Sequence, residues 1–489
     1  MELTLSRIAK AVGGRLSGYD CIVTSVSTDS RDIPKGCLFI CLEGEKFDGH
    51  DFVSQAAQNG AAAVLVRKKV DSRIPVITVK DTGKALLDLA GYYRGTLDNL
   101  TVVGLTGSVG KTTTKEMTYA VLAEQFKTIK TEGNLNNEIG MPKTLLRLKD
   151  DTEAAVIEMG MNHFGEIERM TKSSRPDIGI ITNIGVSHIE YLGSRDGILK
   201  AKLEILEGMK KGAPLILNGD NDKLVTVREP DYKLVFFGIE NPNVDFRAKD
   251  IEEKNGFTSF TVEFYGASQR VTVPTVGIHN VYDALAAFAV GYEMRMEPQK
   301  IAAGLKSFAP SGMRQRIKKV GGITVIEDCY NASPDSQKAA LDVLSSFKSN
   351  RRIAVLGDML ELGEKSDEYH YEVGEYLRDK KIDEVIVIGE HAQKIKEARE
   401  QGDLSENAEY DEAKNEQAIL EAQIKEIQYT LDNCEVVDDD SISLDEVGLG
   451  STIKLKNFQS GKVETWQIVS SNEANFCLLY TSDAADDRI

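Results

Sequence analysis

Cysteine is sparse. The 489 residues include six, at 21, 37, 41, 329, 434 and 477. They fall in no metal-ligand spacing and no dense framework, which argues against a zinc site and a disulfide-stapled domain and leaves reduced, structural thiols. Long apolar runs are also missing. Nothing approaches the roughly 18 consecutive apolar residues of a membrane helix. The opening MELTLSRIAKAVGG has no long apolar core and no signal cleavage site, so a cytoplasmic chain is expected. Basic charge is in deficit: 59 Lys+Arg stand against 77 Asp+Glu, a net −18. Such a surface repels phosphate backbones and disfavours nucleic-acid binding, sequence-specific or general. It still leaves room for one local basic site holding a phosphorylated ligand. Apolar residues, by contrast, make up 41% of the chain, enough for several cores. At roughly 100–200 residues per domain the length allows about three domains.

Residues 1–97 alternate β-rich runs and helical stretches. GCLFICLEG reads as a strand, and DFVSQAAQNGAAAVLV as a helix, a Gly turn and a strand. Across 98–311 the apolar runs TVVGLTG, AAVIEMG, IGIITNIG, APLILNG and KLVFFG recur between helical segments. That alternation predicts an α/β fold, a parallel sheet with crossover helices. IEEKNGFTSFTVEFYGASQRVTVPTVG predicts an appended antiparallel meander, and HNVYDALAAFAVGYEM an Ala-rich helix. A third α/β unit spans 312–392. Residues 393–433 are charged and helical, with Ile419, Leu420, Ile424, Ile427 and Leu431 near one face. Short strands are expected around STIKLKNF and ETWQIVS within 434–476, and 477–489 show no pattern.

Thr106-Gly107-Ser108-Val109-Gly110-Lys111-Thr112 lies between a predicted strand and a predicted helix. Two glycines let a turning backbone aim N–H groups at phosphate oxygens. The helix N-terminus and Lys111 add positive charge, and Thr112 can ligate Mg²⁺. The strict phosphate-loop spacing fails because position 105 is Leu. A Gly-Lys turn without a ligand is the plain alternative. Asn134, Asn136 and Asn137 crowd a following loop, readable also as a polar turn. Glu158 and His188 end two strands, where carboxylate and imidazole can hold Mg²⁺ beside phosphates or simply sit on the surface. Lys202 lies on a helix, ordinarily a solvated face.

TGSVGKTTTKE, TEGNLNNEIGMPKTLL, EMGMNHFGEIERM, TNIGVSHIEYLGS, AKLEI, GIHNVYDALAA, EDCYNASPDS and LGDMLELG occur in that order across residues 1–392. Together they resemble the Mur ligase family, and within it the branch that adds D-alanyl-D-alanine. The sibling that adds a diamino acid is the nearest rival. The resemblance implies three domains: a UDP-precursor domain at 1–97, an ATP-binding domain at 98–311 and a Rossmann-like domain at 312–392. It implies an ATP-dependent amide ligase of peptidoglycan precursor synthesis that joins D-alanyl-D-alanine to UDP-MurNAc-tripeptide through an acyl phosphate. Thr106, Gly107, Ser108, Gly110, Lys111, Thr112 and Thr113 would hold ATP. Thr112, Glu158, His188 and a carbamylated Lys202 would hold Mg²⁺. Asn280 would face adenine, with His279 structural and Asn218 and Asp220 near the nucleotide. Arg314 and Asp328 would reach the phosphates, with Lys111, Lys202 and His188 completing the catalytic set. Tyr330, Asn331 and Ser336 would shape the amine-acceptor side. Ser30, Arg31, Phe47, Asp48, Gly49 and His50 would hold the UDP-sugar, and Asn134, Asn136 and Asn137 the substrate. Asp283 stands where the family often has Asn, a departure expected to have little effect.

After VIVIGE the pattern changes. IKEAREQGDLSENAEY and DEAKNEQAILEAQIKEIQYTL resemble GreA-type transcription elongation factors, as a helical hairpin fragment at 393–433 and a partial β domain at 434–476. That resemblance implies contact with RNA polymerase through tip acids Asp403 and Glu406, which are equally an ordinary helix-start pattern. A ligase joined to such a fragment reads as a chimera with a truncated third domain and impaired turnover. The absent strands would expose a sheet edge unless the appended helix covers it.

Overall fold

The computed structural model describes residues 1–400 except 45, 311 and 313, then 417–418, 420–425, 427–429, 447, 451–458 and 460–468. The chain divides into two units, Met1–Gly402 and Asp403–Ile489.

The N-terminal part of the first unit carries a five-stranded sheet in the order Arg15–Ser17, Val76–Thr78, Ala63–Val66, Leu38–Ile40, Val26–Ser27. Strand periodicity sorts its side chains. Leu38, Ile40 and Leu65 face one core, while Cys37, Phe39, Cys41, Val64 and Val66 face another. Cys37 and Cys41 are therefore buried packing residues with free thiols.

The middle part is a nine-stranded sheet. Its order is Ala267–Val273, Phe257–Phe264, Phe246–Lys254, Lys233–Gly238, Pro214–Asn218, Ile178–Ile181, Thr101–Thr106, Ala154–Glu158, Thr128–Lys130. The last six pair in parallel, and the first three form the antiparallel meander expected. Val102, Ala155 and Ile157 face one core; Val103, Leu105 and Val156 face the other, under the helices Lys111–Ala123 and Ile278–Glu293. Burial on both faces explains why these strands read as continuous apolar runs. After Thr101–Thr106 the chain crosses to the edge strand Thr128–Lys130, inserts Ala154–Glu158 between the two, and then crosses back to add Ile178–Ile181 on the other side of Thr101–Thr106. Their carboxyl ends therefore flank a topological switch point, the usual ligand crevice of such sheets.

The third part has a hairpin, Arg316–Val320 with Ile323–Glu327, and a two-stranded parallel sheet, Ile353–Gly357 with Glu384–Ile388. Leu341, Leu356, Val373, Leu377 and Ile382 form its core. The helix Gln393–Glu400 belongs to it, because Ile395 and Ala398 are buried. They press on Gly374 so closely that a Cβ there would collide with Ile395 O. The packed unit thus runs past the expected boundary at 392.

In the second unit the described residues of 417–429 are helical, with Leu420, Ile424 and Ile427 exposed. Thr452–Lys456 and Val463–Gln467 pair as an antiparallel hairpin. Asp403, Glu406, Ile419, Leu431 and 477–489 lie outside the described residues. Among the described residues no helix is long and apolar enough to cross a membrane.

Candidate active site

The strand Thr101–Thr106 runs into the glycine loop, and the helix Lys111–Ala123 leaves it. Both glycines are required. Gly107 (φ 153°) approaches Thr182 so closely that a Cβ would overlap the Oγ1 of that threonine. At Gly110 (φ 81°) a Cβ would lie 2.6 Å from Asp283 Oδ1. The Ser108 and Val109 N–H groups donate to Asn183 Oδ1 at 3.1 and 2.9 Å rather than pointing freely into the crevice. Lys111 Nζ folds back on Gly107 O and Ser108 O at 2.8 and 3.1 Å. Burial lowers the Lys111 pKa. An anion in the loop would replace those two carbonyl contacts and gain the helix N-terminus. Thr113 lines the same crevice, whereas the Thr106 hydroxyl is buried without a hydrogen-bond partner.

Register places Glu158 opposite Leu105, one strand from the loop. Only 1% of Glu158 is exposed. Asn136 Nδ2 donates to its Oε1 at 2.8 Å, and Thr112 Oγ1 lies 3.3 Å from both its oxygens. Lys115, wholly buried, sets Nζ 3.2 Å from Glu158 Oε2 and 3.5 Å from Glu116 Oε1. Lys115 escaped the sequence reading, although its place four residues after Lys111 puts it on the same helix face. Asn137 instead caps a turn, accepting from the Ile139 and Gly140 N–H groups, and Asn134 lines the crevice.

Lys202 is not on a solvated face: 1% of it is exposed. Burial and the nearby charge of Lys111 lower its pKa well below the usual lysine range. His188 takes a left-handed backbone, φ 64°. Burial, with the Lys111 and Lys202 charges, lowers its pKa to about 4. Neutral imidazole is the form that ligates a metal, and here its Nδ1 sits against Glu361.

Lys111, Thr112, Asn136, Glu158 and His188, but not Lys115 or Lys202, line a cavity of about 1240 Å³ whose far wall comes from Arg314, Asp328, Tyr330 and Asn331. A profile of the Mur ligase middle domain matches residues 105–291. Profiles described as the Mur ligase family catalytic domain and as the Mur ligase, glutamate ligase domain match 22–94 and 313–431. The UDP-N-acetylmuramoyl-tripeptide–D-alanyl-D-alanine ligase of Bacillus subtilis (strain 168) is 42% identical over 397 residues, spanning 80% of this chain and 86% of that protein. The chain belongs to the Mur ligase family. The enzyme of the same name from Escherichia coli (strain K12) is 38% identical, with 81% and 88% covered. MurF from Acinetobacter baumannii superposes with a TM-score of 0.78 at 33% identity, over 81% of this chain and 88% of that one. MurF ligase from Thermotoga maritima, solved with ADP, gives 0.71 at 30%, over 76% and 86%.

In this Mur ligase Arg314 stacks over the Tyr330 ring, 4.5 Å from its centroid. Asn331 and Ser336 both line the cavity, and the Ser336 hydroxyl also forms, with Ser333, the capping box of the helix Pro334–Ser346. Asn280 Nδ2 donates to Val276 O and Gln315 Oε1, both at 2.7 Å, so Gln315 is a further residue of this wall. His279 is half-buried beside them, its Nε2 3.0 Å from Asn280 Nδ2. Asp220 is held by the Ile239, Glu240 and Asn241 N–H groups and by the Tyr282 hydroxyl, and Asn218 Oδ1 accepts from Asp220 N. Asp283 is more consequential than expected. It is buried, accepts from Thr114 Oγ1 at 2.7 Å, and burial pushes its pKa up to about 7.

The first-part residues do not join this cavity. Arg31 pairs with Asp29 at 2.8 Å, and Ser30 O accepts from Asn59. His50 Nε2 accepts from the Arg67 N–H at 3.0 Å, so the ring proton lies on Nδ1 and goes to Asp48 Oδ1 at 2.5 Å. Both ring nitrogens are therefore occupied, and the Glu43, Asp48 and His50 group is a hydrogen-bonded loop brace with no nitrogen left for a metal. Gly49 is packed against Leu42 and Cys41, and Phe47 is exposed.

Proposed function

We propose that this chain is an ATP-dependent ligase that joins D-alanyl-D-alanine to UDP-MurNAc-tripeptide. The observation that carries the reading is the convergence, in one cavity, of the phosphate loop, the buried Glu158 group and the third-part wall. Two anions must meet for the first step: the γ-phosphate of ATP and the terminal carboxylate of the tripeptide. Lys111 neutralises phosphate charge, and the loop and helix N-terminus orient it. The carboxylate oxygen takes the γ-phosphoryl group, ADP leaves, and the acyl phosphate is attacked by the free amine. A tetrahedral intermediate then expels phosphate. Ser30, Arg31, Asp48 and His50 lie away from the cavity, and we assign them to the UDP end of a long substrate.

Glu158, Thr112 and His188 form a donor set suited to Mg²⁺, oxygen-rich and anionic. The ion when bound would screen the phosphates from the attacking carboxylate. Lys202, a buried amine of lowered pKa, is suited to carbamylation. Its nitrogen would bond to the carbon of CO₂ and lose a proton, giving an anion where a cation would repel the metal. A carbamate resonance from ¹³C-bicarbonate in the wild type and not in Lys202→Ala tests this.

Incubation with ATP, Mg²⁺, UDP-MurNAc-tripeptide and D-alanyl-D-alanine should yield the pentapeptide product with one phosphate per bond. ATP hydrolysis without product, or no turnover and no nucleotide binding, would sink the reading. Turnover below that of the Bacillus subtilis relative is expected, because one face of the third-part sheet is uncovered. A second reading takes 393–476 as the remnant of a GreA-type factor; its support is the sequence DLSENAEYDEAK, and the Mur ligase profile that reaches residue 431 and the packing of Gln393–Glu400 on the third part stand against it. Retention of RNA polymerase by the immobilised chain tests it.

A further inference from the structure

A cation is buried behind the phosphate loop. Lys115, on the helix Lys111–Ala123, is wholly buried and does not line the cavity. Its Nζ lies 3.2 Å from Glu158 Oε2 and 3.5 Å from Glu116 Oε1. Both acids do line the cavity. Each has a second anchor: Asn136 Nδ2 donates to Glu158 Oε1 at 2.8 Å, and Lys130 binds Glu116 Oε2. Among the described residues the Lys115 ammonium donates no hydrogen bond, whereas Lys130 bonds its acid directly. The fold therefore keeps Lys115 as a charge and not as a donor.

Burying an ammonium is unfavourable, and ion pairing without hydrogen bonds offsets that only in part. Packing alone does not call for such a group, so its charge is the property to explain. The cations that act on the two acids are Lys111, Lys115 and Lys130. Three cations thus face two carboxylates, and a carbamylated Lys202 would only bring the two signs level. A divalent ion entering alone meets a Glu158 already claimed by Lys115 and no net negative charge among these groups to hold it. A triphosphate in the loop supplies the missing charge.

We propose that Lys115 weakens the hold of Glu158 on free divalent metal, so that the ion enters together with the nucleotide and not ahead of it. The inference rests on the ligase reading in taking Thr112, Glu158 and His188 as the metal donors. Lys115 is a positioning residue, because it acts through Glu158. It holds Oε2, while Thr112 and Asn136, which line the cavity, approach the same carboxylate. Metal and nucleotide then bind in a linked way, each raising the affinity of the other.

Mn²⁺ is the probe, since it takes the same oxygen donors as Mg²⁺. Its free concentration is read by electron paramagnetic resonance on the full chain without nucleotide. Lys115→Gln should bind Mn²⁺ about 10- to 100-fold more tightly than the wild type. Lys115→Arg, which keeps the charge, should stay as weak as the wild type. Glu158→Gln added to Lys115→Gln should remove the gain. A lysine that only propped up the fold would not tighten a metal site when lost. In thermal unfolding, Mg²⁺ alone should raise the midpoint of Lys115→Gln and leave that of the wild type in place, and Mg²⁺ with a non-hydrolysable ATP analogue should raise the wild type beyond the analogue alone. If Lys115→Gln is unfolded without metal, Mn²⁺ alone should restore its circular dichroism, and failure to do so would overturn the assignment. Equal Mn²⁺ affinity in wild type and Lys115→Gln, or a gain that survives Glu158→Gln, would also overturn it. A wild type that takes Mn²⁺ tightly without nucleotide yet forms product would sink this inference and spare the ligase reading. A gain in Lys115→Gln, in a chain whose wild type forms no product, would do the reverse.

Discussion

In the middle part, Thr101–Thr106 buries Val102 on one face of its sheet and Val103 and Leu105 on the other. In the third part, Ile353–Gly357 buries Ala354 and Leu356 and leaves Ile353 and Val355 exposed, and the paired strand leaves Ile386 and Ile388 exposed. Both sheets are parallel here, and parallel sheets are stable when both faces are covered. A two-stranded sheet with one open face is marginal. The cavity thus stands on unequal supports. Its phosphate-loop side is anchored in a nine-stranded sheet with two cores, and its far wall hangs on a small unit with one. Nucleotide binding and amide formation should therefore be separable by mutation.

The largest effect is expected inside the stronger half. Lys115→Met strands the buried Glu158 carboxylate without its cation, which should cost about 3–5 kcal/mol in urea unfolding. Lys115→Met combined with Glu158→Gln should recover most of that; additivity of the two losses would show that the pair is not coupled. Lys111→Met should cut turnover by about 10²–10³ and weaken nucleotide binding while the unfolding midpoint stays put. On the weaker side, Leu377→Ala opens the third-part core and should destabilise it by about 2–4 kcal/mol. Amide formation should fall with ADP affinity intact. Loss of both together would break the contrast between the two halves.

Asp283 supplies a pH test. Its folded pKa, raised to about 7, lies above the unfolded value of about 3.9. The folded state holds the proton longer, so this contribution to stability is present below pH 4 and is lost as pH rises toward 7. Asp283→Asn should leave stability unchanged at low pH and raise it at pH 8 by on the order of 1–3 kcal/mol, flattening the pH profile. The smallest effect is expected at the open face. Val355→Thr should move stability within about 0.5 kcal/mol and reduce self-association measured by light scattering.

The parallel sheet, the meander and the phosphate loop were legible because each has a local signal: apolar runs, period-two alternation, glycines ahead of Lys111. Glu158 was legible as a strand-end acid. Lys115, Asn183 and Gln315 were not. Each owes its place to a partner far along the chain, Lys115 to Glu158, Asn183 to the loop at Ser108 and Gln315 to Asn280. Asn137 and Ser336 sit in motifs that read as substrate contacts and both line the cavity, but the fold also engages their side chains locally, Asn137 in a turn and Ser336 in a helix cap. The boundary placed at 392 gave way because Ile395 and Ala398 have a glycine, Gly374, to pack on.

By itself the sequence determined the order of strands and helices and the family to which they belong, since backbone periodicity and the glycine turn are properties of neighbouring residues. The tertiary structure alone decided which charges stand compensated. Lys202 is a surface lysine in its helix pattern and a buried amine in the fold, and Lys115 is an ordinary helix lysine until Glu158 is seen beside it. Desolvation and pairing depend on distances across the fold, and no local pattern carries them.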